Sequence, residues 1–372
     1  MRIGVPKEMK VHEYRVALVP AGARSLIEAK HEVMVQAGAG QGSGLKDAEY
    51  EAAGASVVPE ARTLFDACDL ILKVKDPTAD EAAMLRPGQI LFCYLHLAAA
   101  PEVTRTLLER EVTAVAYETV QLPDGSLPLL APMSEVAGRL AVQVGLHFLQ
   151  REHGGRGILL GGVPGVPRGK VTVIGAGTVG INAVRVAHAL GAEVDVLDIS
   201  LPRLTYLYDI FSGNLGTLVS NSANVERSVL DADLVIGAVL IPGGRAPRLV
   251  TRNLVKRMKP GTVMVDVSVD QGGCIETIHP TTHADPVYTV DGVIHYGVTN
   301  MPGAVPRTST FALTNTTLPY VQKLAAAPIA EVAAEDPSLR RGINLHAGRV
   351  THPGVAEAQG LPLVEPPGGE TA

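Results

Sequence analysis

Tryptophan is absent from this chain, cysteine occurs three times, and aromatic residues make up only 4 % of its 372 positions. Cys68, Cys93 and Cys274 are odd in number and lie in or beside apolar stretches. They fit reduced core thiols of a cytoplasmic protein and not a disulfide framework. Charge is also scarce: Asp, Glu, Lys and Arg make up 19 % of residues, and the net charge is −6. That balance gives no reason to expect a nucleic-acid partner. No apolar run approaches the roughly 18 residues that span a bilayer. The start, Met1-Arg-Ile-Gly-Val-Pro-Lys-Glu, is charged almost at once, unlike a signal peptide. No repeat of roughly 20–50 residues is evident. What remains is a hydrophobic fraction of 46 % in a chain long enough for two α/β domains.

The most informative stretch is Lys170-Val-Thr-Val-Ile-Gly175-Ala-Gly177-Thr-Val-Gly180. Its first residues form a buried strand, and Val179, Ala183, Val186, Ala187 and Leu190 then recur at helical spacing up to Gly191. A second strand from Glu193 closes on Asp198. Strand, glycine turn, helix and an acid roughly 20 residues on make a dinucleotide fingerprint. Gly175 permits the turn, Gly177 lets the backbone approach a diphosphate, and Gly180 lets helix and strand pack closely. Asp198 suits the adenosine ribose hydroxyls and repels a 2′-phosphate, favouring NAD over NADP. Arg203 tempers that preference, because a nearby arginine accommodates such a phosphate.

Before the turn, strand segments at 2–5, 32–36, 70–74, 90–95 and 113–117 alternate with helical ones at 21–29, 78–85 and 101–110. A long helix runs from Met133 to about Glu152, and a Gly/Pro-rich loop over 154–169 precedes the fingerprint. Later strands are expected at 216–219, 234–239, 262–267 and 293–298, with helices near 203–211, 225–230 and 250–258. The end of the chain shows little strand signal. The alternation predicts an α/β protein of two Rossmann-like parallel-sheet domains with a cleft between them. Residues 131–305 form the dinucleotide domain; 1–130 with 306–372 form a discontinuous substrate domain.

Ligands bind beyond the carboxyl ends of such strands. Lys75 follows one expected strand, His96 another, and Arg15 lies in the loop after the first. Two cations beside an acid–base histidine suit a small carboxylate substrate. In the second sheet, Asp270 follows the strand ending near Val267, while Val239-Leu240 and Val298-Thr-Asn-Met301 end two others. Each has a plainer reading: Arg15 as a surface charge, Lys75 as a strand cap beside a solvent-facing Lys73, His96 as a polar strand end, Asp270 as a turn former. His279 and His283 have i, i+4 spacing, but Pro280 disfavours the helix a metal pair needs, and no third ligand is evident, so no metal is expected.

Several segments together resemble the bacterial NAD-dependent L-alanine dehydrogenases of the alanine dehydrogenase/pyridine nucleotide transhydrogenase family. They are Met1-Arg-Ile-Gly-Val-Pro-Lys-Glu, Glu13-Tyr-Arg15-Val-Ala-Leu-Val-Pro20, Leu72-Lys-Val-Lys75-Asp-Pro77, Tyr94-Leu-His96-Leu-Ala98, Ala131-Pro-Met-Ser134-Glu-Val-Ala-Gly138, the fingerprint turn, Val265-Asp-Val-Ser-Val-Asp270-Gln-Gly-Gly273 and Val298-Thr-Asn-Met301-Pro-Gly303. The resemblance covers nearly the whole chain and weakens over the last thirty or so residues. It implies reversible oxidative deamination of L-alanine to pyruvate and ammonium, with hydride transfer to NAD. Arg15 then pairs with the substrate carboxylate, Lys75 contacts the substrate, His96 is the acid–base group and Asp270 assists the amine-to-carbonyl chemistry. Ser134, Thr178, Val179, Asp198, Arg203, Ser220, Val239, Leu240, Val267, Ser268, Val269, Asp270, Val298, Thr299, Asn300 and Met301 map onto NAD contacts, beside the three fingerprint glycines. Arg203 stands where lysine is common and His279 where arginine is common, so the adenosine side departs most. The resemblance also implies a homo-hexamer. Tyr94, Leu130, Met133 and Met301 are the expected lining of a small methyl pocket. The nearest rival is the NAD-binding component of a transhydrogenase, which exchanges hydride between two nucleotides alongside membrane partners.

Overall fold

The computed structural model describes residues 1–239 and 246–369, in two compact units: Met1–Met133 with Gly303–Ala372, and Ser134–Pro302. The first is built on β1 (Arg2–Val5), β2 (Glu32–Gln36), β3 (Ser56–Val58), β4 (Leu70–Leu72), β5 (Ile90–Cys93) and β6 (Thr113–Ala116). These pair in parallel in the order β3-β2-β1-β4-β5-β6. β4, β5 and β6 are buried at every position, as unbroken apolar strands covered on both faces should be. Leu64, Phe65, Ile71, Leu91 and Leu107 share one core, and burying each such side chain contributes roughly 1.5–3 kcal/mol.

The second unit carries β7 (Lys170–Ile174), β8 (Glu193–Asp198), β9 (Gly216–Val219), β10 (Leu234–Gly237), β11 (Val263–Asp266), β12 (Val287–Val290) and β13 (Val293–Tyr296). Here the order is β9-β8-β7-β10-β11-β13, again parallel, with β12 antiparallel on the edge. Both sheets therefore share the doubly wound order, in which the build direction reverses beside the first strand. That reversal opens a crevice at the strands' carboxyl ends: between β1 and β4 in one sheet, between β7 and β10 in the other.

Most expected elements fall within a residue or two of place, and three differences are informative. Strand geometry ends sooner than expected at Leu72, Cys93, Gly237, Asp266 and Tyr296, because the chain turns into site loops there. The 250–258 segment is helical only over Arg252–Val255. The end of the chain does hold strands: β14 (Ile343–His346) pairs antiparallel with β6, and β15 (Arg349–Val350) pairs with β14. The β12–β13 and β14–β15 hairpins turn on Asp291-Gly292 and Ala347-Gly348, all four at positive φ, the geometry of a two-residue type I′ turn.

Candidate active site

In the first unit, the three expected substrate groups stand on neighbouring strand-end loops, and each loop is held by a carboxylate. Arg15, on the loop after β1, is 2 % exposed. Its Nε donates to Glu13 Oε1 at 2.7 Å and its Nη2 to Oε2 at 2.5 Å, while Glu13 Oε1 also accepts the Arg15 amide at 3.1 Å. Nη1 lies 3.1 Å from the Met133 sulfur. Burial opposes the guanidinium charge, but the Glu13 hydrogen bond and charge outweigh it and raise the Arg15 pKa. Glu13 thus occupies one edge of the fork, and Nη1 also contacts the Met133 sulfur.

Lys73 is not solvent-facing. It is 1 % exposed and bonded to Glu8 at 3.1 Å and to Glu81 at 2.7 Å. Glu81 also accepts the Thr78 amide at 2.8 Å as part of the capping box of helix Ala79–Met84. Glu8 accepts the Val74 amide at 2.6 Å. Its own pKa is raised by burial, against the Lys73 charge and the Val74 amide. Lys73 is thereby locked between two acids, and the following turn delivers Lys75 to a half-buried position.

His96 follows β5 and is a non-glycine residue at φ 50° and ψ 38°, a region in which L-residues are uncommon. Its imidazole is half exposed, with Nδ1 3.8 Å from Glu118 Oε1. The ring lies nearly parallel to that of Tyr94, 6° between planes and 6.1 Å between centroids. Tyr94 is itself buried and donates to the Leu129 carbonyl at 2.6 Å. Of the expected methyl-pocket lining, Tyr94 and Met133 therefore both border these groups. A pocket of about 350 Å³ beside Arg15 is lined by Lys7, Glu8, Lys10, His12, Glu13, Tyr14 and residues of the 38–42 loop, and by neither Lys75 nor His96.

In the second unit, the three fingerprint glycines do three different things. Gly175 has φ 106°, and a Cβ there would meet the Ala238 carbonyl oxygen at 2.5 Å. At Gly180 a Cβ would lie 1.8 Å from the Gly175 oxygen. Gly177 has only the Arg203 Nη1 atom near, at 3.5 Å. The first and third glycines are demanded by the protein's own backbone; the second leaves open space at the N-terminus of helix Thr178–Ala189. That opening is part of a pocket of about 450 Å³ lined by Glu135, Ala176, Gly177, Thr178, Ile181, Asn182, Arg185, Pro202, Arg203 and Tyr206. Exposed amides at a helix start, two guanidinium groups and a concave wall suit a diphosphate. Asp198 ends β8 with its carboxylate accepting the Ala176 amide at 2.6 Å and the Ser200 amide at 2.8 Å. Each oxygen keeps lone-pair capacity for a ribose hydroxyl. The Ser220 amide donates to the Asp198 carbonyl at 2.9 Å, which sets Ser220 beside it.

Gly138 explains how Ser134 and Glu135 come near this turn. A Cβ at Gly138 would sit 2.1 Å from the Val179 oxygen, so helix Ala131–Leu149 approaches helix Thr178–Ala189 at backbone distance. Val267, Ser268, Val269 and exposed Asp270 occupy the loop after β11. Buried Asp266 organises that loop, accepting the amides of Ser268 at 2.9 Å, Cys274 at 2.8 Å and Ile275 at 3.1 Å. Burial pushes its carboxyl up to about 6, against these hydrogen bonds. Val298, Thr299, Asn300 and Met301 follow β13, and Asn300 takes φ 56°. Val239 follows β10; Leu240 lies outside the described residues. His279 packs on the Tyr288 ring at 3.7 Å, and His283 Nε2 lies 3.3 Å from the Asn300 carbonyl. Among the described residues, no three His, Cys, Asp or Glu side chains converge as metal ligands.

The sequence reading missed Glu8, Glu13, Glu118, Asp266 and Arg185. The first four act by accepting main-chain amides, which depends on turn geometry and leaves no spacing to recognise.

Known proteins resemble this chain over nearly its whole length. The family model described as "Alanine dehydrogenase/PNT, N-terminal domain" matches residues 4–137, and "Alanine dehydrogenase/PNT, C-terminal domain" matches 141–353. Alanine dehydrogenases of Halomonas elongata and Geobacillus stearothermophilus are 56 % and 54 % identical, each over 98 % of both chains. A solved L-alanine dehydrogenase is 53 % identical with a TM-score of 0.94, covering 96 % of this chain and 99 % of that one. A transhydrogenase from Sinorhizobium meliloti is more distant, 28 % identical with a TM-score of 0.80, over 95 % of this chain and 99 % of its own. Two family models that together span most of the chain, over a doubly wound pair of sheets and an open fingerprint glycine, place it in the alanine dehydrogenase/pyridine nucleotide transhydrogenase family.

Proposed function

We propose that the protein catalyses the reversible oxidative deamination of L-alanine to pyruvate and ammonium with NAD as hydride acceptor. The observation that carries this reading is near-full-length identity above 50 % to proteins named alanine dehydrogenase, at a site holding Arg15, Lys75 and His96 on adjacent strand ends. Over one turnover, L-alanine, NAD⁺ and water become pyruvate, ammonium, NADH and a proton.

Arg15 anchors the substrate carboxylate end-on, displacing the Met133 sulfur while Glu13 holds the other edge. A buried fork fixed on one side loses little freedom when it binds on the other. Lys75 has no hydrogen-bond or ion-pair partner among the described residues, so its ammonium is available to the substrate oxygen and stabilises negative charge there. His96 accepts a proton from water attacking the imine carbon and returns it to the departing amine. Asp270 orients that water and favours the cationic imine. The second unit binds the coenzyme: the fingerprint helix takes the diphosphate, Arg203 lies over Gly177, and the Asp198 carboxylate takes the ribose hydroxyls and disfavours a 2′-phosphate. When bound, the nicotinamide supplies the two-electron acceptor.

Three buried free thiols support a cytoplasmic location, and the resemblance supports a homo-hexamer; native mass measurement tests the latter. No helix among the described residues is long and apolar enough to cross a membrane. The deciding experiment follows NADH absorbance with L-alanine and NAD, then with L-lactate, and then, in the absence of amino acid, NADPH with the acetylpyridine analogue of NAD, whose reduced form absorbs at a longer wavelength than NADPH. We expect NADH from alanine alone. Exchange between nucleotides without alanine turnover would favour the transhydrogenase reading. His96→Ala should abolish turnover and leave NAD affinity intact; normal turnover would remove His96 from the mechanism.

A further inference from the structure

We propose that Glu118 is the positioning residue of His96: its carboxylate holds the left-handed turn that presents the imidazole. This deepens the alanine-oxidation reading and rests on it. β5 and β6 are parallel neighbours paired from Ile90↔Thr113 to Cys93↔Ala116, so the loops after them emerge side by side. Glu118 stands in the single turn Tyr117–Thr119 just past β6, and His96 stands three residues past the end of β5.

The carboxylate reaches across and is 13 % exposed. Its Oε1 accepts the His96 amide at 2.6 Å and the Leu95 amide at 3.3 Å, and Oε2 lies 3.2 Å from the same Leu95 amide. Two successive amides are thus aimed at one anion, an arrangement that favours negative charge there. His96 supplies the left-handed member of that pair at φ 50°, without the glycine that such a position usually takes. A histidine kept in that conformation must be held by its surroundings, and the Glu118 contact is a direct one. The consequence reaches the ring. Nδ1 faces Oε1 at 3.8 Å, which turns Nε2 away from Glu118 and leaves that nitrogen for the substrate side. The ring also lies nearly parallel to that of buried Tyr94. Glu118 touches no substrate in this scheme and acts through His96.

Three substitutions test it in the full-length enzyme. Glu118→Ala removes both acceptors and should lower kcat for alanine oxidation on the order of 10²-fold, as expected for a misplaced catalytic group. The NAD dissociation constant should stay as in the wild type. Glu118→Gln keeps one oxygen at the Oε1 position, which accepts both amides, and should recover most of the loss. If Glu118→Ala does not fold, Glu118→Asp carries the comparison, since it keeps the charge but withdraws the oxygens by one methylene. It should then be slower than Glu118→Gln. Full kcat in Glu118→Ala, a loss confined to KM, or Glu118→Gln as slow as Glu118→Ala or Glu118→Asp overturns the assignment. A wild type that makes no NADH from alanine fells the alanine reading and this one together; an active wild type with an equally active Glu118→Ala fells this one only.

Discussion

Gly177 and Gly180 are three residues apart in one fingerprint, yet the structure requires opposite outcomes when each becomes alanine. At Gly180 the added methyl would begin 1.8 Å from the Gly175 carbonyl oxygen and 2.9 Å from its carbon. A carbon–oxygen contact is relaxed at about 3.3 Å, so helix and turn must separate by roughly 1.5 Å, and the obstacle is backbone. Overpacking of that kind costs about 1–3 kcal/mol. At about 2–4 °C per kcal/mol for a domain of this size, the melting temperature should drop several degrees. At Gly177 the backbone lies at φ −74° and ψ −168°, open to any residue, and the nearest atom is a flexible arginine terminus at 3.5 Å. Gly177→Ala should therefore melt within about 0.5 kcal/mol of the wild type, as surface changes do. Its methyl enters the space where a diphosphate must approach the amides. Losing one charge-assisted bond of about 1.5–3 kcal/mol weakens NADH binding about 10- to 100-fold. NADH fluorescence titration and thermal melting on both variants make the test. Unchanged NADH affinity in Gly177→Ala, or a melting loss equal to that of Gly180→Ala, would refute the division of labour.

Glu13→Gln should cost about 3–5 kcal/mol in urea unfolding, because Arg15 is left as a buried cation without its counter-charge; a loss below about 1 kcal/mol would mean that the pair is not closed in solution. Asp198→Asn should raise the preference for NADP about tenfold by removing the repulsion of a 2′-phosphate, read as the ratio of kcat/KM with the two coenzymes; an unchanged ratio would assign the choice to other residues. Asp266 carries a pH signature of definite sign. Its folded carboxyl, pushed up to about 6, holds a proton where the unfolded residue has lost it. Its contribution, about 3 kcal/mol, is fully present below about pH 4 and lost as pH rises through 6. Asp266→Asn should flatten the unfolding midpoint between those limits, and a curve parallel to the wild type would refute the shift.

Much of the fold was legible because apolar runs and glycines report local geometry. The β2 and β9 bounds follow from their residues, and so does the whole β7–turn–helix–β8 unit. The β12–β13 hairpin was readable and passed over: Asp291-Gly292 between two apolar pairs is its signal. β14 was harder, since its short apolar stretch has meaning only as a strip laid against β6. Lys73 and Lys75 make the limit plain. Two lysines of one short segment look alike on paper, yet one is sealed between Glu8 and Glu81 and the other has no hydrogen-bond or ion-pair partner among the described residues.

The sequence by itself determined most of the central strands, the glycines of the fingerprint turn and the side chains proposed for the chemistry, because each depends on residues a few positions apart. Tertiary structure alone decided how those side chains are held. Glu8 meets Val74, Glu118 meets His96 and Asp266 gathers a ten-residue loop. Such contacts arise when strand ends come into register, and a carboxylate bonded to another segment's amide leaves no periodic trace in its own.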